Sequence, residues 1–206
     1  MDCGAAEIQI FWRPLMNDDG WGKNRLTSGN LDDARLIGAN RWSFGRRMAS
    51  RANSEVMHVN RGTYRGPGAL RARVTPLADD ALPGGYEGTV IQIRSPGVIV
   101  PAGTAIRIDA MVRTLGFGGP HQGLLVYDTI GGQEMGVLVR GRSEWTPVRL
   151  YRQSLRESEI NVMFELIGAG EATIDDVELS LWEPQQQARP MLSPIAEIET
   201  KESTRR

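Results

Sequence analysis

Gly168 to Trp182, GAGEATIDDVELSLW, reads as a β-strand whose apolar residues alternate in two phases. Ala172 and Ile174 hold one parity; Val177, Leu179 and Leu181 hold the other. A strand sends alternate side chains to opposite faces, so a one-residue slip exchanges the faces. The slip falls at Asp175-Asp176. A bulge or bend is therefore expected there, where the strand would pass from one sheet to the other. This is the closing strand of a sandwich, and the chain upstream supplies its neighbours.

The other strand signals run from Trp42 onward. Ala105 to Thr114 is the cleanest: Ile106, Ile108, Ala110 and Val112 face one way, and Arg107, Asp109, Met111 and Arg113 the other. Ile160, Val162, Phe164 and Leu166 alternate within one run, as do Leu70, Ala72 and Val74. Ser54–Val59, Thr89–Arg94, Val98–Val100, Leu124–Asp128, Met135–Arg140 and Trp145–Tyr151 complete the set, with a hairpin turn at Thr129–Gly132. About nine short strands separated by Gly- and Pro-bearing turns, with almost no helix between them, predict an all-β fold: an antiparallel β-sandwich or jelly roll. One short N-terminal helix is expected at Asn30–Gly38, with Asn30 as its cap and Gly38 as its stop. Residues 1–29 read as an irregular arm or the remnant of a preceding module. Residues 30–183 read as the sandwich, and the polar, proline-bearing 184–206 as a disordered tail.

Composition excludes several classes. Twenty-four basic and 25 acidic residues leave a net charge of -1, with no overall field to draw nucleic acid or an anionic membrane. The single cysteine, Cys3, permits no internal disulfide. No apolar run reaches the roughly 18 residues of a membrane span. The first residues, MDCGAAEIQIF, lack the basic and apolar regions of a signal peptide. The chain is thus expected to be cytoplasmic or a piece of a longer exported one. There is no GxSxG elbow, no HExxH and no Cys/His metal spacing. The glycines of Leu115–Gln122, LGFGGPHQ, lack the lysine and following helix of a phosphate cradle. Asp175 and Asp176 are neighbours in a strand and point apart, so they cannot flank one glycosidic bond. The expectation is a protein that is not an enzyme.

Taken in order, GPGALRARV (66–74), SPGVIVPAG (95–103), IRIDAMVR (106–113), YDTIGG (127–132), EWTPVRLYR (144–152) and GEATIDDVEL (170–179) resemble carbohydrate-binding modules of the family 4/9 type, within the galactose-binding-like jelly-roll class. The resemblance runs from about Trp42 to Glu183. It implies a non-catalytic sugar-binding module attached to a secreted enzyme, hence an extracytoplasmic or cell-surface setting. It also implies a structural calcium ion with Asp176 as one ligand, a hard cation on oxygen donors. The plainer alternative is that Asp176 accepts hydrogen bonds from nearby amides. The family's N-x-x-F-E-x-G pattern on the first strands is absent here, so no further ligand is assigned.

Sugar binding calls for apolar ring faces and planar polar groups. Phe117 and His121 lie in a glycine-rich loop, where exposure is expected. Tyr127 and Tyr151 are out of phase with Val126 and Leu150 and leave the core face. Arg113 and Arg149 also point outward, to donate to hydroxyls or to form surface salt bridges. These six are the candidate carbohydrate-binding residues. The alternative function is an interaction or spacer domain of a cell-surface protein with no sugar bound.

Overall fold

The computed structural model describes residues 20–47, 51–77 and 82–183. The predicted arm up to residue 19 and the predicted tail 184–206 lie outside the described residues. The elements are α1 (Ala34–Ala39), β1 (Ser43–Arg46), β2 (Ala52–Val59), β3 (Ala69–Pro76), β4 (Thr89–Arg94), β5 (Val98–Val100), β6 (Ala105–Leu115) and β7 (Gly123–Asp128). They continue with β8 (Val137–Val139), β9 (Thr146–Gln153), β10 (Ser158–Ile160), β11 (Val162–Ile167) and β12 (Gly170–Leu181). One sheet has the order β1-β4-β11-β7-β8, the other β2-β3-β12-β6-β9, and β5 pairs with β10 in a small ribbon. Every pairing is antiparallel. The fold is an all-β sandwich.

The alternation seen in the sequence builds the core. Ile91, Ile93, Val162, Phe164, Leu166, Leu124 and Val126 from the first sheet meet Leu70, Ala72, Val74, Ala172, Ile174, Ile106, Ile108, Val112, Val148 and Leu150 from the second. One polar pair enters this layer. Arg152 Nε stands 2.6 Å from Asp128 Oδ2, and both residues are buried. Asp128 Oδ1 accepts from the Ile130 and Gly131 amides, and Arg152 Nη2 donates to the Met135 carbonyl. Arg152 Nη1 donates to the Tyr151 carbonyl, so each guanidinium nitrogen and each carboxylate oxygen of the pair has a partner, which buried charges require.

The expected bulge is present. On β12, Asp175 pairs with Met111 and Glu178 with Asp109, so β12 carries one extra residue, and Asp176 takes φ 48°. The strand does not change sheets, contrary to expectation: β6 pairs with it on both sides of the bulge. What changes is its other neighbour. β3 pairs with β12 only as far as Ile174. Beyond it the chain from Trp21 to Gly29 takes over, through Gly22 N to Leu181 O, Arg25 N to Leu179 O, and Val177 N to Gly29 O. Asn24 imitates a strand residue, donating to the Val177 carbonyl and accepting from the Leu179 amide. At Gly29 a Cβ would lie 2.0 Å from the Val177 oxygen, so only glycine permits this approach. The segment 20–29 has no strand period because its backbone contacts are few and its side-chain contacts, from Trp21, Asn24, Arg25 and Leu26, do not alternate.

Two local expectations are corrected. The helix is capped by Asp33, which accepts from the Arg35 amide, because Leu31 takes φ 55° and breaks the turn that Asn30 would have started. Gly38 lies inside it, and Asn40 ends it. The run Ile160–Leu166 is two strands in different sheets. Asn161 splits it, donating through Nδ2 to the Ser95 carbonyl and accepting from Arg94.

Candidate functional site

The sandwich has two outer faces, and the six sequence candidates are divided between them. Arg113, Arg149 and Tyr151 stand on the outer face of the β2-β3-β12-β6-β9 sheet. Arg149 Nε is 2.5 Å from Asp109 Oδ1, and that hydrogen bond holds the guanidinium above its usual range. Tyr151 packs on Trp21, ring centres 5.9 Å apart. Arg113 covers Trp145 at 5.1 Å and donates to the Gly62 carbonyl. Tyr127 stands on the opposite sheet. Phe117 contradicts the expected exposure: its ring is 7% exposed and joins the core, because Gly170 leaves room where a Cβ would come 2.8 Å from the ring. His121 is exposed, and its carbonyl accepts from the Gly85 amide, next to Tyr86.

The most organised chemistry lies around Tyr127, on the outer face of β4, β11 and β7. Glu165, at the middle of β11, pairs across to Gln92 on β4 and Leu125 on β7. It is 1% exposed although it points away from the core. Four side chains donate to it. Gln92 Nε2 and Tyr127 Oη reach Oε1 at 2.7 and 2.8 Å; Thr89 Oγ1 and Gln133 Nε2 reach Oε2 at 2.9 and 2.5 Å. A bulge sets Thr89 in place: the register steps from Leu166–Ile91 to Ile167–Thr89, which turns the threonine onto the Glu165 side. Gln133 arrives on a 3₁₀ turn, Gln133–Met135, between β7 and β8. Tyr86 opens the corresponding turn before β4; it is 52% exposed, and its hydroxyl donates to the Gln133 carbonyl.

Around this carboxylate Leu125, Tyr127, Met163 and Ile167 form a second apolar cluster with Leu138. Burial pushes the Tyr127 phenol up to about 12, and the hydrogen bond and charge of Glu165 add to it. Beside Gln92 the edge strand β1 carries Gly45, whose missing side chain leaves that flank of the face open.

The chemical capacity of the site follows from its donors. Glu165 is filled from within the protein, so its role is to orient. Gln133 spends one N–H on it and keeps a second N–H and a carbonyl oxygen; Gln92 also hydrogen-bonds Tyr127 and keeps its carbonyl oxygen. The face thus presents fixed, planar donors and acceptors beside apolar surface and the exposed Tyr86 ring.

No protein-family profile matches the chain, and no curated protein matches it. Solved structures do match. One, described as "CBM4 structure and function", covers 76% of this chain and 99% of its own, at 14% identity and a TM-score of 0.50. The chain has the sandwich fold of a carbohydrate-binding module. The enzymatically active domain of bacteriophage CBA120 tailspike protein 4 matches over 77% of this chain and 21% of its own length, at 9% identity and the same TM-score. At these identities the likeness is one of fold.

The calcium expectation meets a different cation. Asp176 Oδ2 lies 3.2 Å from Arg65 Nη1. The next carbonyl, Val177 O, accepts from Asn24 Nδ2. Asp175 is buried and accepts from the Tyr64, Arg65 and Asp176 amides at 2.7, 3.1 and 2.7 Å. Burial pushes its pKa up, while those amides pull it down. Among the described residues no three His, Cys, Asp or Glu side chains gather as a metal cluster. The Asp176 and Asp109 carboxylates also lie near Glu178, whose pKa is pushed up first by burial and then by these two charges.

Sequence reasoning reached Tyr127 and missed Glu165, Gln92, Gln133 and Thr89. A signal was there. Glu165 is the sole charge in NVMFELI, and Gln92 the sole polar side chain within VIQI. A polar residue in a run apolar at both parities is one whose outer face is also covered.

Proposed function

We propose that this protein is a non-catalytic carbohydrate-binding module, serving as an accessory domain, with its ligand face on β4, β11 and β7 around Glu165. The observation that carries the reading is the buried Glu165 on an outer sheet face, holding Gln92, Gln133, Tyr127 and Thr89 by four hydrogen bonds. Such a network costs desolvation, and a surface position gives the fold no need of it. It is accounted for if the amides must keep fixed directions for hydroxyl groups. Tyr86, exposed at the rim, supplies the ring face that a pyranose stacks on. An accessory module of this kind works outside the cytoplasm as part of a longer exported protein.

At Asp176 we propose Arg65 rather than a metal as the partner, since calcium would have to displace a guanidinium already there. A glycan array tests the main reading. Binding to one polysaccharide class, lost in Tyr86→Ala and Gln92→Ala, is expected. A blank array from folded protein would favour the interaction-domain reading, for which Met135, 60% exposed beside this face, is the specific observation.

A further inference from the structure

The opposite face carries a second feature that the Glu165 site does not use. At the far end of β6 and the start of β12 a cavity of about 250 Å³ is lined by Arg113, Arg142, Ser143, Glu144, Glu171 and Thr173, among others. That is below the roughly 300–1,000 Å³ of a typical ligand cleft, a size for one ring rather than for a chain.

Its lining is built, not incidental. Thr173 pairs directly with Arg113 on one side and Arg71 on the other, so the buried threonine lies between two guanidinium stems. Trp145 fixes Arg113 from below. Arg142 sits in the turn before β9, which Gly141 opens with φ 65°. Ser143 clamps that turn to β6: its amide donates to the Thr114 carbonyl, and its Oγ accepts from the Thr114 amide at 3.0 Å. Neither Arg113 nor Arg142 has a carboxylate partner among the described residues. Glu171 is held by Arg73, and both hydrogen bonds end on Oε2, which leaves Oε1 to accept.

The set therefore combines two guanidinium groups that have no carboxylate within ion-pair distance among the described residues with acceptors for hydroxyl groups, while Glu144 and Glu171 share the cavity wall. A plain anion would use only the first; a neutral sugar would use only the second. We propose that this cavity is a second saccharide site, one that takes a sugar ring bearing a carboxylate, a uronate, with the carboxylate between Arg113 and Arg142 and a ring hydroxyl on Glu171 Oε1. Guanidinium–carboxylate pairing is strong and directional. Glu144 on the rim opposes the bound charge. The choice of a sugar rests on the carbohydrate-module reading; the choice of an acidic one rests on this cavity.

Calorimetric titration of the full chain with tri-galacturonate, a neutral trisaccharide and acetate tests it. The uronate is expected to bind. Arg142→Ala, in an exposed turn, should weaken it at least about tenfold, the loss of one charge-assisted pair. Arg113→Gln should weaken it as well, and Glu144→Gln should tighten it. Binding should fall as sodium chloride rises from about 50 to 500 mM, as Coulomb attraction is screened. No uronate binding by folded protein, or binding indifferent to Arg142→Ala and Arg113→Gln, overturns the proposal. So does acetate binding as tightly as the uronate. A neutral glycan held on the Glu165 face without uronate binding refutes this site alone; uronate binding lost in Arg142→Ala without any neutral glycan refutes the Glu165 reading alone.

Discussion

Replacing Glu165 separates a network that orients from a carboxylate that merely happens to be buried. Glu165→Ala removes the acceptor of four hydrogen bonds and leaves Gln92, Gln133, Thr89 and Tyr127 donors facing a gap. An unsatisfied buried donor costs about 1–3 kcal/mol, and water reaching an outer face relieves part of that. The net loss should be about 3–4 kcal/mol, or roughly 6–16 °C in Tm for a domain of this size. Glu165→Gln keeps the shape. Its new amide can donate to the Tyr127 oxygen and to a flipped Gln92, so the loss should stay near 1–2 kcal/mol, that of charge assistance. Thermal unfolding followed by circular dichroism reads both. An Ala variant melting within about 2 °C of the parent, below what even one lost buried hydrogen bond costs in a domain of this size, would show that the network contributes nothing and that its geometry is not held.

Further outcomes follow from other sites. Arg152→Leu leaves Asp128 buried without its partner and should cost about 3–5 kcal/mol in urea unfolding, whereas an exposed pair such as Arg25–Glu183 should cost under about 1 kcal/mol when broken. Tyr127 has a folded pKa raised to about 12, against an ordinary 10; its contribution to stability should be complete below pH 10 and lost as pH rises through 12. In Glu165→Gln the ultraviolet titration of that tyrosine should move to lower pH. Asp176→Ala should lower Tm by the same amount with and without added calcium; a loss seen only with calcium would refute the ion pair with Arg65.

The sandwich was legible because each strand buries one face, and burial of one face writes alternation into the sequence. Where that condition fails, legibility fails. β1, Ser43–Arg46, is exposed at every position and pairs through its backbone, so SFGR carries no period. Asn161 interrupts Ile160–Leu166 without disturbing the alternation, since its parity is right and its hydrogen bonds alone divide the run. Residues 20–29 dock through Asn24 and amides, with Trp21 and Leu26 as isolated apolar contacts, a combination that leaves no period in the sequence. The bulge at Asp175–Glu178 was legible because an extra residue shifts the phase of everything after it.

The site was less legible for a related reason. Parity assigns Glu165 to an outer face, and an outward charge in a strand ordinarily meets water. Here it is covered by residues 32 and 76 positions away, Gln133 and Thr89, brought over it by a turn and a bulge. Phe117 fails in the opposite direction: a glycine-rich loop predicts exposure, but the room left by Gly170 lets the ring fold into the core. Tyr127, Tyr151, Arg113 and Arg149 were all read as outward, and outward they are. Parity does not say which sheet a strand joins, so one sequence pattern was divided between two faces.

The most direct test of the central claim is a map of where a glycan touches the protein. With an oligosaccharide found by array screening, amide and side-chain NH₂ resonances are followed by heteronuclear NMR. The expected result is perturbation of the Gln92 and Gln133 side-chain amides and of backbone amides in 86–94, 123–128 and 162–167, with β2, β3 and β9 unchanged. Perturbations confined to β2, β3, β6 and β9, with the two glutamine side chains unmoved, would contradict it.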